Sequence, residues 1–297
     1  MKVQPMPDAL ALHSLPWHMN CFLLLDGISV EALPRKLYEW SDSPEIEVLY
    51  LQTAWAELSD VSPHLIKLEN ASDPVLAEFL AHKAEEWGYL IFSSKQGHEI
   101  SDHLRKLISV EHPLGKAMLL RLADPAVAHA LFGLANENKN AALFGPIEQL
   151  HVHDAINQAW HFHERPGGEA ALCKIPYRLS ESELEALGEV DFRQTVSWLK
   201  SHMHKHFPDF LSAIPDAQQW KSMYDLANRA YQAGFTSERD IALYANVFGF
   251  LGQDALDHHP DIAALMTKPS QQSPSQRIEQ AANLAESRMA LLERNPV

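Results

Sequence analysis

One change of pattern divides this sequence of 297 residues and limits how the chain can fold. Up to about residue 165, short apolar runs alternate with stretches in which apolar residues recur at helical spacing. From residue 176 onward only the helical spacing continues. Because strands that alternate with helices of this length build layered structures, the first part predicts an α/β domain with a mostly buried sheet. The second part predicts an all-α lobe.

The strands and helices of the first part have clear ends. Residues 22–25 form an apolar run that Asp26 and Gly27 terminate, as an Asp-Gly turn does after a buried strand. Asp73-Pro74 and Asp124-Pro125 each combine an N-cap with a proline at the first helical position, so a helix is predicted after each. We predict a sheet of about five strands with flanking helices, at residues 22–25, 46–51, 64–68, 89–92 and 117–123.

Two further short strands, at residues 150–153 and 160–163, are predicted to close the domain as a hairpin. The turn-forming run 164–168 follows this hairpin, and Pro176 comes soon after it. We therefore place the α/β domain, with its C-terminal hairpin, at residues 17–165. The helical C-terminal lobe is placed at residues 176–297.

Composition restricts the class of partner and the compartment. Lys and Arg total 24 against 39 Asp and Glu, so the formal net charge is -15 and a phosphate backbone is repelled; nucleic acid is not expected as a partner. Cys21 and Cys173 have no CxxC spacing, which fits a reducing compartment. The N-terminus lacks the order of a signal peptide and no apolar run approaches the ~20 residues that cross a bilayer. A cytoplasmic protein without a membrane partner is predicted.

The sequence carries no recognised catalytic signature: GxGxxG, GxxxxGK[ST], GxSxG and HExxH are all absent. Asp26 is the best enzyme candidate, because ligand sites gather at strand ends. A phosphatase of the aspartyl-phosphate type would want a second carboxylate two residues on, where this chain has Ile28. A turn residue is therefore the preferred interpretation of Asp26, and we expect neither enzyme activity nor a cofactor.

Histidines in the predicted hairpin raise the possibility of a metal site. His151 and His153 would share one face of a strand, and His161 and His163 would share a face of the next. Four imidazoles on one side of a hairpin could hold zinc. However, no carboxylate or cysteine sits among them at ligand spacing, and no second shell is visible, so a bound metal is not the expectation. A metal-dependent hydrolase or phosphatase using Asp26 and these histidines stays as the alternative function.

Arg121 lies within an otherwise apolar predicted strand. Such an arginine stands either at a sheet edge or beside a buried carboxylate, since a buried guanidinium without a partner is very costly. Asp26 and Asp124, at neighbouring strand ends, are candidate partners. We expect a structural ion pair, with a role in an interface as the second possibility.

Landmarks at the strand ends and helix starts form an ordered series, which consists of residues 25–27, 49–53, 62–68, 87–90, 103–107 and 121–125. The series resembles the bacterial type VI secretion effector adaptors, called Tap or Tec chaperones and first catalogued as a domain of unknown function. The resemblance is clearest from Cys21 to about Leu150 and continues weakly through the helical part. It marks seven family-motif positions as structural or interface residues: Asp26, Gly27, His103, Arg105, Arg121, Asp124 and Pro125.

This resemblance implies a function without chemistry. Such adaptors bind a secreted effector protein in the cytoplasm of the producing cell and load it onto the VgrG spike protein, sometimes through a PAAR-containing region. The family usually has aromatic residues before the second Asp-Pro and an arginine after it; this chain has Leu122, Ala123 and Ala126, which implies a different cargo if that motif contacts cargo. A binding protein that inhibits its partner, instead of delivering it, is a further alternative.

Overall fold

The computed structural model describes residues 10–167, 174–268 and 270–294, and it divides the chain into two compact units, Met1–Val190 and Asp191–Val297. Cys173 and the last residue of the predicted turn, Gly168, lie outside the described residues. The division falls later in the chain than the predicted start of the helical lobe at residue 176. The reason is that residues 177–190 contribute a strand and core side chains to the first unit.

The described part of the first unit contains two sheets. The strands are β1 (Asn20–Leu25), β2 (Ile46–Val48), β3 (His64–Leu68), β4 (Gly88–Ser93), β5 (Ser109–Glu111), β6 (Ala117–Leu119), β7 (Gln149–Asp154), β8 (Ala159–Glu164) and β9 (Tyr177–Arg178). Six of them form the main sheet in the order β2-β3-β1-β4-β7-β8, and every neighbouring pair is antiparallel. The predicted hairpin is therefore present and extends the main sheet at one edge.

The predicted fifth strand, residues 117–123, differs from the structure in length and in place. Only Ala117–Leu119 is a strand, and it pairs with β5 in a separate three-stranded sheet of order β6-β5-β9. Leu120 and Leu122 are buried in the core although they lie outside any strand. An apolar run alone does not distinguish a buried strand from a buried loop, and Arg121 consequently lies in a loop.

Helices cover both faces of the main sheet. The first unit contains α1 (Leu33–Trp40), α2 (Pro74–Ala81), α3 (Gly97–Ile108), α4 (Pro125–Glu137) and α5 (Ala141–Phe144), with 3-10 segments at Leu12–Ser14, Tyr50–Gln52, Ala56–Val61 and Lys83–Glu85. Side chains alternate along β1: Phe22 and Leu24 pack in the core with α3 and α4, whereas Leu23 and Leu25 pack in the core with α1 and α2. The prediction of an α/β domain with a mostly buried sheet is confirmed.

Both predicted cap-and-proline starts are helix N-termini. The carboxylate of Asp73 accepts a hydrogen bond from the backbone N–H of Val75 at 2.9 Å, and that of Asp124 accepts one from Ala126 at 2.9 Å. Each proline occupies the first turn, where its missing N–H has no intrahelical partner to lose. The sequence therefore determines where α2 and α4 begin.

The second unit is all-helical, as predicted. One helix, α6 (Glu181–His206), begins in the first unit and continues into the second, followed by α7 (Pro208–Ser212), α8 (Asp216–Gln232), α9 (Glu238–Leu251), α10 (Ala255–His258), α11 (Pro260–Thr267) and α12 (Pro274–Arg294). Arg277 on α12 is buried, and its Nη1 donates to the carbonyls of Leu265, at 3.1 Å, and Lys268, at 2.6 Å. A cation at the C-terminal end of α11 satisfies carbonyls that the helix leaves unpaired.

In the part of the chain that the structure describes, every helix is too short or too polar to cross a membrane.

A pair of glycine substitutions tests the packing of the main sheet. A Cβ at Gly88 in β4 would lie 1.9 Å from the carbonyl oxygen of Leu24, so Gly88→Ala must displace backbone and is expected to cost about 3 kcal/mol of unfolding free energy. Gly188 is exposed within α6 and a Cβ there would have nothing within 4 Å. Gly188→Ala is expected to add about 0.5–1 kcal/mol through helix propensity. Urea unfolding of both variants measures the contrast, and equal stabilities would contradict this packing.

Candidate functional site

The candidate site is built around an ion pair at one end of the main sheet. Asp26 directly follows β1 and is 1% exposed. The Nε and Nη2 of Arg121 lie 2.7 Å and 2.5 Å from its Oδ2. The Nη1 of Arg121 lies 3.6 Å from Oδ2 of Asp124, which is also buried. The structural ion pair predicted for Arg121 is present, and both candidate carboxylates take part in it.

Backbone contacts fix Asp26 in place. Its N–H donates to the carbonyl of Trp87 at 2.8 Å, and its Oδ1 accepts from the N–H of Ile28 at 3.0 Å, which closes an Asx turn. The next residue, Gly27, packs so closely that a Cβ would lie 2.3 Å from the carbonyl oxygen of Ser62. A side chain at position 27 would push the loop after β1 away from the loop that contains Ser62. The turn therefore needs glycine, so that these two backbones can approach each other.

Burial affects the titration of the groups around the pair. Burial is the main cause of the raised pKa of Asp124; the neighbouring Arg121 and the two backbone N–H groups at the start of α4 oppose the shift. Burial, followed by the charge of Asp26, also raises the pKa of Tyr50.

Tyr89 donates its hydroxyl to the carbonyl of Leu122 at 2.9 Å, beside Arg121. The loop before α4 is thus anchored from two sides.

Arg105, on α3, contacts the end of β2 and the residues that follow it, at the same end of the main sheet. Its side chain is 11% exposed, and its Nη2 lies 3.0 Å from Oε2 of Glu47 in β2. Its Nε donates to the carbonyl of Leu49 at 3.3 Å, and its Nη1 donates to Asp102 on its own helix at 3.0 Å. Arg105 therefore attaches α3 to the end of β2. Two charged pairs together with a backbone contact explain why an arginine, with its several N–H donors, is present there.

His103 and Pro125, two of the family-motif positions, are buried and contribute to packing. The Nε2 of His103 lies 2.8 Å from the carbonyl of Leu143, and its ring occupies the space that a Cβ at Gly145 would need. Burial lowers the pKa of His103. Pro125 is the buried first residue of α4. The structure thus brings Asp26, Arg121 and Asp124 into one network, whereas His103 belongs to a separate contact.

The four hairpin histidines do not share one face, as the alternative of a zinc site would require. In the antiparallel register His151 pairs with Phe162 and His153 pairs with Trp160, whereas His161 and His163 pair with Val152 and Leu150. Paired residues lie on the same face of a sheet, so His151 and His153 lie on the face opposite to His161 and His163. Each pair shares a face as the spacing indicates, but the group of four that the zinc alternative needs is not formed, because the register of the two strands separates the pairs.

His161 and His163 instead meet a histidine from α4. The Nδ1 of His129 lies 2.9 Å from Nε2 of His163, and the rings of His129 and His161 are 3.9 Å apart. The Nε2 of His161 also lies 3.7 Å from Oδ2 of Asp154, a carboxylate that the sequence did not place beside it. Among the described residues no three His, Cys, Asp or Glu side chains are arranged to hold a metal ion.

Sequence reasoning missed Ser29 and Glu47. The hydroxyl of Ser29 donates to Oδ2 of Asp26 at 3.3 Å and accepts from Nη2 of Arg121 at 3.0 Å. Its spacing, three residues after an aspartate in a turn, was a usable signal. Glu47 gave none, because its partner Arg105 is far away along the chain.

Charge is divided unevenly between the two units. Residues 1–190 contain 14 Lys and Arg against 27 Asp and Glu, whereas residues 191–297 contain 10 against 12. Almost all of the net negative charge therefore belongs to the first unit, which also contains the candidate site. A protein partner of this unit is expected to be basic at its contact surface.

Comparison with known proteins places the same region in a family. The family described as "Domain of unknown function (DUF4123)" matches residues 21–142. The chain is 34% identical over 271 residues to "Accessory protein VasW" of Vibrio cholerae serotype O1, covering 89% of this chain and 87% of that protein. No solved structure matches the chain.

The Arg121 network is tested by its removal. Arg121→Met leaves Asp26 buried without a cation and is expected to lower the unfolding free energy by about 3 kcal/mol. Asp26→Asn combined with Arg121→Met is expected to cost less than the two single changes together. Arg35→Met is the matched control, because its pair with Glu39 is exposed and contributes less than about 0.5 kcal/mol. Urea unfolding decides: equal losses for Arg35→Met and Arg121→Met would contradict a buried pair.

Acid sensitivity is the second prediction from this region. Burial lowers the pKa of His163 to about 3, with neighbouring histidines adding to the shift, and burial lowers the pKa of His151 to about 4. As the pH falls below about 6.5, these histidines take up protons in the unfolded chain before they do so in the folded chain. Protonation therefore favours unfolding, and the free energy of unfolding, which is unaffected above about pH 6.5, decreases as the pH falls. Each of the two histidines is expected to increase the slope of unfolding free energy against pH by about 1.4 kcal/mol per pH unit between about pH 4 and pH 6.

His163→Gln should remove about one such increment from the slope of unfolding free energy against pH, and His13→Gln, at an exposed histidine, should leave the slope unchanged. Chemical unfolding at a series of pH values measures both slopes. Equal slopes for wild type and His163→Gln would refute the assignment.

Proposed function

The chain belongs to the DUF4123 family of type VI secretion effector adaptors, and from this membership we propose that it binds a secreted effector and loads it onto the VgrG spike protein. Loading takes place directly or through a PAAR-containing region. The adaptor acts in the cytoplasm of the producing cell and is not an enzyme. Similarity to an accessory protein over nearly the whole chain supports a function for both units together.

One observation supports a binding function in particular. The motif residues that would be the chemical groups of an enzyme are already used in holding loops together. Asp26 is 1% exposed, its Oδ1 accepts from a backbone N–H, and its Oδ2 is engaged by Arg121 and Ser29. A nucleophile must reach its substrate, whereas a residue in this state fixes the shape of the surface above it.

The alternative of a metal-dependent hydrolase has less support. It needs Asp26 as a reacting group, and this carboxylate is enclosed. It also needs the hairpin histidines as one ligand set, and the β7–β8 register places them on two faces. Binding with inhibition of the partner uses the same surfaces as binding with delivery, so these two functions are separated by experiment.

The direct test is joint expression of this chain with a candidate effector and a VgrG protein from the same organism. We expect the effector to co-purify with the chain, and VgrG to join when the effector is present. A deletion strain is expected to lose delivery of that effector and to regain it with the intact gene. The proposal fails if the chain binds neither protein and the deletion strain delivers the effector normally. Protection of the producing cell without any effect on delivery would indicate an inhibitor.

A further inference from the structure

Four apolar side chains are exposed at the end of the main sheet where the Arg121 network lies. We call them the loop patch: Ile28, Leu51, Leu58 and Val61, with exposed fractions between 37% and 57%. Single exposed apolar residues are ordinary on a protein surface, whereas a group of them on adjoining segments marks a binding surface. The first question is whether the segments adjoin.

The backbones beside Ile28 and Val61 are in contact. The close approach of Gly27 to the carbonyl of Ser62 brings together the residue before Ile28 and the residue after Val61. A Cβ at Gly27 would also lie 2.7 Å from the carbonyl carbon of Val61. Ile28 and Val61 therefore stand on two touching loops.

The other two members are joined to the same place. The N–H of Tyr50, one residue before Leu51, donates to Oγ of Ser62 at 3.0 Å. Leu58 and Val61 belong to one 3-10 segment, Ala56–Val61, which is kinked at Leu58 and ends at the residue before Ser62. The four side chains thus come from three chain segments that meet at Ser62.

Negative charge surrounds the loop patch. Residues 37–66 contain six Asp and Glu and no Lys or Arg. Glu57 and Asp60 lie within the same 3-10 segment as two patch members, and Glu31 follows Ile28 closely; all three are exposed. Within the described part of the chain none of these three carboxylates forms an ion pair. Their field is therefore available to a partner.

We propose that the loop patch is the surface on which this chain holds its effector, and that the effector contributes apolar side chains flanked by lysines and arginines. This inference rests on the proposed function and names the contact that it needs. The charge pattern selects a basic protein segment as the occupant. A second copy of the chain is disfavoured, because each copy would bring the same exposed carboxylates and a net charge of -15.

The Arg121 network fixes the loop that carries Ile28, one member of the loop patch. The Nη2 of Arg121 donates to the hydroxyl of Ser29, the residue next to Ile28. Asp26, on the other side of Ile28, is held by the same guanidinium. Arg121 is therefore a positioning residue: it keeps the Ile28 loop in one shape, and the partner contacts the loop.

The experiment measures binding of the immobilised full chain to a purified candidate effector from the same organism, by biolayer interferometry at several salt concentrations. Ile28→Ser with Leu51→Ser is expected to weaken affinity by at least about tenfold, mainly through faster dissociation. Glu57→Gln with Asp60→Asn is expected to slow association and to flatten its dependence on salt.

Leu291→Ser, at a leucine exposed to 61% on α12, is the matched control, and its affinity should stay within about twofold of wild type. Unfolding curves of all variants should coincide, since the replaced side chains are exposed.

The outcomes separate this inference from the proposed function. If wild type binds the effector and both double variants bind within about twofold of it, the patch is not the contact, while the adaptor function stands. If wild type binds neither effector nor VgrG, the adaptor function fails and the patch assignment fails with it. Sedimentation that shows a dimer of this chain lost in Ile28→Ser with Leu51→Ser would overturn the choice of occupant.

Discussion

The guanidinium of Arg121 joins loops that the chain presents far apart in sequence. It binds Asp26 after the first strand, the hydroxyl of Ser29 in the following turn, and Asp124 at the start of α4. Both carboxylates are buried. Without this cation their charges would lack compensation, and the free energy of unfolding would fall. The shape of this end of the sheet depends on that arrangement, and so does the position of the apolar side chains above it.

Local signals in the sequence predicted a large share of the fold. The Asp-Gly turn after residues 22–25 and the two Asp-Pro helix starts are short-range features, and each one is present. The pairing of Arg121 with Asp26 was also predictable, because an arginine in an apolar run needs a carboxylate and few buried ones were available. Those predictions rested on rules that hold within a few residues or on a charge that must be neutralised.

The errors have a common cause, which is that strand pairing is non-local. The spacing of His151, His153, His161 and His163 predicts which residues share a face within each strand, but only the register relates one strand to the next. Residues 117–123 were apolar enough for a buried strand, yet most of them form a core loop beside a second small sheet. The partner of Arg105 was likewise invisible, because Glu47 becomes its neighbour only when the sheet is assembled.

Family membership, enclosed motif residues and an acidic first unit together support the proposal that this protein acts by binding a partner at its surface. Hydrogen–deuterium exchange of the chain, alone and bound to an effector from the same organism, tests this most directly. Slower exchange on binding is expected in residues 26–31 and 50–62, the segments that carry the loop patch, because a bound partner excludes water from them and restrains their opening. Protection confined to residues 191–297, or none in the first unit, would contradict it.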